Sequence, residues 1–94
     1  MKAKELEVYL AIEIKRTPVP KCSKKALFEY SVKKWTYQEL INEIHKNPKQ
    51  NVVDMLDGFI KKMDDYLCMS TTERQKTEFI VAHDTAELVR DLII

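Results

Sequence analysis

His83, Glu87 and Asp91 recur every four residues, so on a helix they would stack one turn apart on one side. An imidazole with carboxylates at that spacing could begin a metal site. Zinc, however, takes three or four nitrogen or sulfur ligands in characteristic spacings, and nothing else in the chain offers them. A solvated histidine with helical carboxylate neighbours is the simpler reading. His45 has no evident partner in the sequence. Cys22 follows Pro20-Lys21 in a lysine-rich stretch, a setting that favours a reactive thiolate. Cys68 falls on the polar side of its segment. Neither thiol has a histidine base that the sequence places beside it, so nucleophilic catalysis lacks its second component. Asp54, Asp57, Asp64 and Asp65 read as a solvated helix side rather than an acid–base pair. Gly58 is the only glycine, which excludes glycine-rich phosphate loops. These residues predict a protein that is not an enzyme and uses no cofactor and no metal.

Lysines supply the other chemistry. Lys15, Arg16, Lys21, Lys24, Lys25, Lys33 and Lys34 are interleaved with Phe28, Tyr30 and Trp35. That composition is the one expected of a nucleic-acid contact surface, with charge for phosphates and rings for stacking. The formal net charge of +1 conceals an asymmetry. Nine basic residues face four glutamates through Lys34, whereas seven basic residues face eleven acidic ones from Trp35 onward. Against a dedicated nucleic-acid surface stand the excess of Lys over Arg and the lack of a helix-turn-helix or ribonucleoprotein motif. Phe28 and Trp35 also fit a core. A solvated lysine-rich loop is the bland alternative.

The elements that must position these groups are most legible in the second half. Stepping 100° per residue from Val52 places Val52, Val53, Met55, Leu56, Phe59, Ile60, Met63, Tyr66 and Leu67 on one arc of roughly 160°. Burying each such side chain is worth about 1.5–3 kcal/mol, whereas an exposed Asp57–Lys61 pair is worth only about 0.3–0.5 kcal/mol. In the last segment Phe79, Val81, Ala82, Thr85, Ala86, Leu88, Val89, Leu92 and Ile93 share about half the circumference, with Ile80 stranded on the polar side. Thr36 followed by Glu39 reads as a capping box, with Trp35 and Leu40 as a hydrophobic staple. Asn47-Pro48 ends one helix and begins the next, Gln50 makes a weaker box, and Ser70-Thr71-Thr72-Glu73 marks a third start.

The first third is ambiguous. Leu6, Val8, Leu10, Ile12 and Ile14 alternate with Glu5, Glu7, Tyr9, Ala11, Glu13 and Lys15, a strand pattern over helix-favouring residue types. Ala26, Phe28, Tyr30 and Val32 alternate likewise. Pattern is weighted over propensity, so an α+β, mainly α fold is predicted. A two-stranded β-hairpin (about 5–15 and 26–34) with a long, proline-stiffened basic loop packs on three helices (about 37–46, 48–69 and 71–93). The alternative is an all-α bundle with the N-terminal segment helical.

The 94 residues suit one domain, 1–94, with a modest core, and at 33% charged they suit a globular chain rather than a disordered tail. Val8–Ile12 is far too short to span a bilayer and no signal-peptide pattern precedes it, so a cytoplasmic location and no membrane partner are expected. The expected function is that of a small interaction protein that binds and blocks a partner protein or nucleoprotein. One specific version is a phage or mobile-element inhibitor of host defence, of the anti-CRISPR kind. The alternative is a nucleic-acid-binding regulator using the basic loop and strand. A homodimer through a strand edge or the apolar C-terminus (Leu92-Ile93-Ile94) is also compatible with the pattern.

Overall fold

A computed structural model describes residues 2–21 and 23–94, which form four α-helices: α1 (Ala3–Arg16), α2 (Lys24–Lys46), α3 (Val52–Met69) and α4 (Glu73–Ile93). No strand occurs among the described residues. The predicted hairpin over 5–15 and 26–34 is therefore overturned, and with it a dimer through a strand edge. The all-helical arrangement is the one observed.

Burial shows why. Leu6 and Leu10 are completely buried, whereas Val8 and Ile12 are half-exposed. The alternation in the sequence is two helical stripes interleaved: Leu6, Leu10 and Ile14 at four-residue spacing face inward, and Val8 and Ile12 at the same spacing face outward. The helix also satisfies its own backbone donors and acceptors, where an isolated hairpin would leave two open edges. Residues 26–34 belong to the same helix as 37–46. Its buried positions, Val32, Thr36, Tyr37, Leu40, Ile41 and Ile44, recur at three- and four-residue steps.

The predicted cap at Thr36 is corrected too. Thr36 lies in mid-helix, fully buried, and its hydroxyl donates to the Val32 carbonyl at 2.8 Å, the back-bond open to a threonine inside a helix. The cap of α2 is Ser23, whose hydroxyl accepts from the Ala26 amide at 3.1 Å. Asn47-Pro48 ends α2, but α3 begins four residues later. Asn51 caps it, its side-chain oxygen accepting from the Val53 and Asp54 amides at 2.9 and 3.2 Å. At α4 the cap is Thr72, accepting from the Gln75 amide at 3.2 Å, while the Gln75 side chain accepts from the Thr71 amide at 3.2 Å. The residue types of a box stand there, shifted two residues from Ser70–Glu73, but the glutamine reaches the amide before the cap rather than that of the cap itself.

α3 and α4 make the most extensive helix pair. They run antiparallel, as shown by the Asp57–Arg90 ion pair, by Asp64 beside His83 at 3.7 Å, and by Tyr66 against Phe79 with ring centroids 5.3 Å apart. α1 lies antiparallel on α2, with His45 Nε2 on Glu7 Oε1 at 2.5 Å. α2 also packs on α4, while α2 and α3 touch only sparingly. One continuous core draws on all four helices, with Leu6, Leu10, Leu40, Leu56, Met63 and Val89 shielded almost completely.

Candidate partner-binding surface

The connection between α1 and α2 forms a basic corner. Lys15 and Arg16 are the last residues of α1. Thr17 closes that helix, its amide and its hydroxyl both donating to the Glu13 carbonyl, at 3.0 and 2.7 Å. Pro18 and Pro20 cannot donate to a continuing helix. Ser23 then starts α2, placing Lys24 and Lys25 in its first turn. Lys15, Arg16, Lys21, Lys24 and Lys25 thus converge on one end of the molecule, all exposed.

A sixth cation, from far along the chain, lies about one turn away. α2 and α4 meet with the Arg74 guanidinium 5.1 Å from the centroid of the Phe28 ring, about one helical turn from Lys24 and Lys25. Nothing in the local sequence around Arg74 signals this, because the neighbourhood depends on how α2 and α4 pack. Among these six, Arg16 has a carboxylate in salt-bridge reach, Glu13 at 3.7 Å; the others have none among the described residues. The first turn of α2 contains no acidic residue. Its two lysines add positive charge to the positive end of the helix dipole, which lowers helix stability.

Lys33 and Lys34 stand apart from the first turn of α2. They lie two turns along α2 and are half-buried. The Lys34 ammonium sits 5.2 Å from the Tyr30 ring centroid. Lys33 lines a shallow cleft of about 380 Å³ with Pro18, Pro20, Tyr30, Val81 and Leu88 and with the carboxylates Glu29 and Asp84, next to the basic corner. The rings interleaved with the lysines are mostly not open to stacking. Phe28 and Tyr30 are half-buried and each has a cation over it, while Trp35, 42% exposed, lies toward the groove between α2 and α3.

The histidines and buried phenols lie along the α3–α4 and α1–α2 seams. His83 bridges α3 and α4, within 3.7 Å of Asp64, 3.2 Å of Asp84 and 3.6 Å of Glu87. Among the described residues no group of three or more His, Cys, Asp or Glu side chains is arranged to hold a metal ion. His45 does have a partner, Glu7, which pattern analysis missed because the two are distant in sequence. Cys68 is exposed near the end of α3; Cys22 lies outside the described residues. Burial, then the charge of Glu13 and then Tyr9, push the Tyr37 phenol up to about 12. Burial and then Glu13 also raise Tyr9, with Arg16 opposing. Both phenols therefore hold their protons further into the alkaline range than an ordinary tyrosine.

Among the described residues no helix is long and apolar enough to cross a membrane. Compared with models of known protein families, with curated proteins and with solved structures, the chain matches none, so its own residues carry the functional reading.

Proposed function

We propose that this chain is a non-catalytic binding module that seats its lysine-rich end on an acidic surface of a partner protein or nucleoprotein and blocks that surface. The observation that carries this reading is the basic corner itself. Five cations from α1, the connection and α2 gather there, four without a carboxylate in reach, and Arg74 of α4 lies over Phe28 about one turn away. Two of them sit where they oppose the α2 dipole, so the bundle is not their beneficiary. The adjoining Pro18–Tyr30–Leu88 cleft offers apolar area that a partner can bury beside its charges. Such a device suits an inhibitor carried by a phage or mobile element and aimed at a host defence nucleoprotein. The second reading, a nucleic-acid-binding regulator using the same lysines, is disfavoured by the covered Phe28 and Tyr30 rings.

Affinity capture from a host lysate, with and without nuclease, separates the two. The wild-type chain is compared with the Lys21→Glu/Lys24→Glu/Lys25→Glu variant at 50 and 200 mM salt. A nuclease-resistant partner lost in the variant supports the proposal. Nuclease-sensitive capture, together with duplex binding that falls steeply with salt, transfers the function to the second reading. An unchanged set of partners in the variant overturns both.

A further inference from the structure

α4 carries its two most exposed apolar side chains one turn apart: Leu88 is 61% exposed and Leu92 66%. Leu88 stands at the edge of the 380 Å³ cleft that Pro18, Pro20, Tyr30, Val81 and Thr85 also line. Of those lining residues only Thr85 is buried, so the cleft has open apolar walls over a threonine floor. Val19, between the two prolines, is exposed as well. Projecting leucines and a hollow able to receive them thus lie side by side on one face. Val8 and Ile12 of α1 are also exposed, but the cavity at Val8 is otherwise lined by Lys2, Lys4 and Glu5.

Charge selects the occupant. Stepping 100° per residue from Leu88 places Asp91 and Glu87 about 60° and 100° to one side, and Val81 and Thr85 about 20° and 60° to the other, toward the cleft. Asp91 and Glu87 are exposed, and among the described residues neither has a lysine or arginine in salt-bridge reach. His83 approaches Glu87 at 3.6 Å. The opposite margin is the connection, where Arg16 and Lys21 bracket the prolines and Lys24 and Lys25 follow. Lys33, Glu29 and Asp84 line the cleft between the margins, which therefore carries both signs. Across the face the order is acidic margin, leucines, cleft, basic margin. A uniformly acidic or basic partner matches one margin and is repelled by the other. A second copy, turned by a two-fold axis lying between the margins, matches both at once.

We infer that this face, α4 with the cleft beside it, is the self-complementary interface of a homodimer. The exposed leucines of each copy lie against the cleft of the other, and the lysine-rich margin of each lies on Glu87 and Asp91 of the other. A face of this size belongs to the small end of protein interfaces, below about 1,200 Å² in total, and gives a micromolar dimer. An acidic partner that takes the lysines competes with the second copy, a consequence that holds only with the function proposed above. Dimerisation itself is read on the purified chain and stands apart from that function.

Sedimentation equilibrium of the full chain across the micromolar range tests this. The wild type should pass from monomer to dimer as concentration rises. Leu88→Lys/Leu92→Lys, both at exposed positions, should weaken the dimer at least tenfold while the helical circular dichroism is kept. Val8→Lys/Ile12→Lys on α1 should leave it unchanged. Two charge variants give the sharper result even if the leucine variant folds poorly. Lys21→Glu/Lys24→Glu/Lys25→Glu makes both margins acidic, and Glu87→Lys/Asp91→Lys makes both basic. Each alone should dimerise at least fivefold more weakly than the wild type, and an equimolar mixture of the two should recover dimer, because each then supplies the margin the other lacks. A monomer throughout the range overturns the inference, as does a dimer indifferent to the leucine variant or a mixture without recovery. Loss of the dimer in Val8→Lys/Ile12→Lys alone also overturns it, by moving the interface to α1.

Discussion

α3 buries Val52, Met55, Leu56, Phe59 and Met63 over eighteen residues, whereas α1 buries Leu6 and Leu10 over fourteen. Both are regular helices, but they are held differently. α3 has a wide apolar arc, an Asn51 cap with two hydrogen bonds and a long seam with α4. α1 has no side-chain cap, shows Val8 and Ile12 to solvent, and lies chiefly on α2. A helix with a broad buried side is specified by its own pattern. One with a narrow side is specified by the surface that receives it.

That contrast can be broken most forcefully in the core. Leu56→Ala and Leu10→Ala each remove a fully buried side chain, and each should cost about 2–5 kcal/mol. Leu56→Ala should lower the stability of the whole bundle in denaturant titration. Leu10→Ala should instead expose α1 amides to hydrogen exchange before those of α3 and α4. Simultaneous loss of protection in all four helices would show that α1 is no weaker than α3.

The α1–α2 seam gives the next effect. The folded pKa of Tyr37 is raised above its ordinary 10.0 to about 12, so the neutral phenol is the form that folding favours. Its contribution is complete below pH 10 and is lost as pH rises through about 12. Wild type should lose stability over that window relative to Tyr37→Phe, by about 1–2 kcal/mol after allowance for solvent around the hydroxyl. Parallel alkaline stability curves for the two proteins would remove Tyr37 from the account.

Two smaller substitutions compare α3 with the basic corner. Gly58→Ala on α3 should raise stability by about 1 kcal/mol, since the added methyl meets open space. A thermal melt that falls instead would mean the position is strained. Lys24→Glu/Lys25→Glu should stabilise the start of α2 by about 0.3–1 kcal/mol per residue, while weakening any contact with an acidic partner. Stability and binding moving in the same direction would contradict the role given to the corner.

Pattern reading reached the α3 stripe and the last helix because their apolar residues fill a wide arc that no strand period reproduces. It misplaced the start of α2 by reading Thr36 as a cap. Thr36-Glu39 carries the right residue types, and only the buried surroundings of Thr36 show that the helix has already run three turns. The cationic site was legible in part. Lys15, Arg16, Lys21, Lys24 and Lys25 are brought together by chain connectivity, whereas Lys33 borders the cleft beside Pro18 and Pro20, Lys34 turns to the Tyr30 ring and Arg74 of α4 lies over Phe28.

By itself, the sequence determined that the back half is helical, that one glycine cannot cradle a phosphate, and that positive charge gathers near residues 15–34. All of these follow from local periodicity, residue chemistry and short chain distances. Tertiary structure alone decided that Leu6 and Leu10 face inward while Val8 and Ile12 do not, that Glu7 meets His45, and that α2 and α3 part to leave a groove. The physical reason is that an alternating apolar run is compatible with either a pleated or a helical backbone. The choice between them depends on which neighbouring surface is available to cover it, and that surface is built by residues far away in the chain.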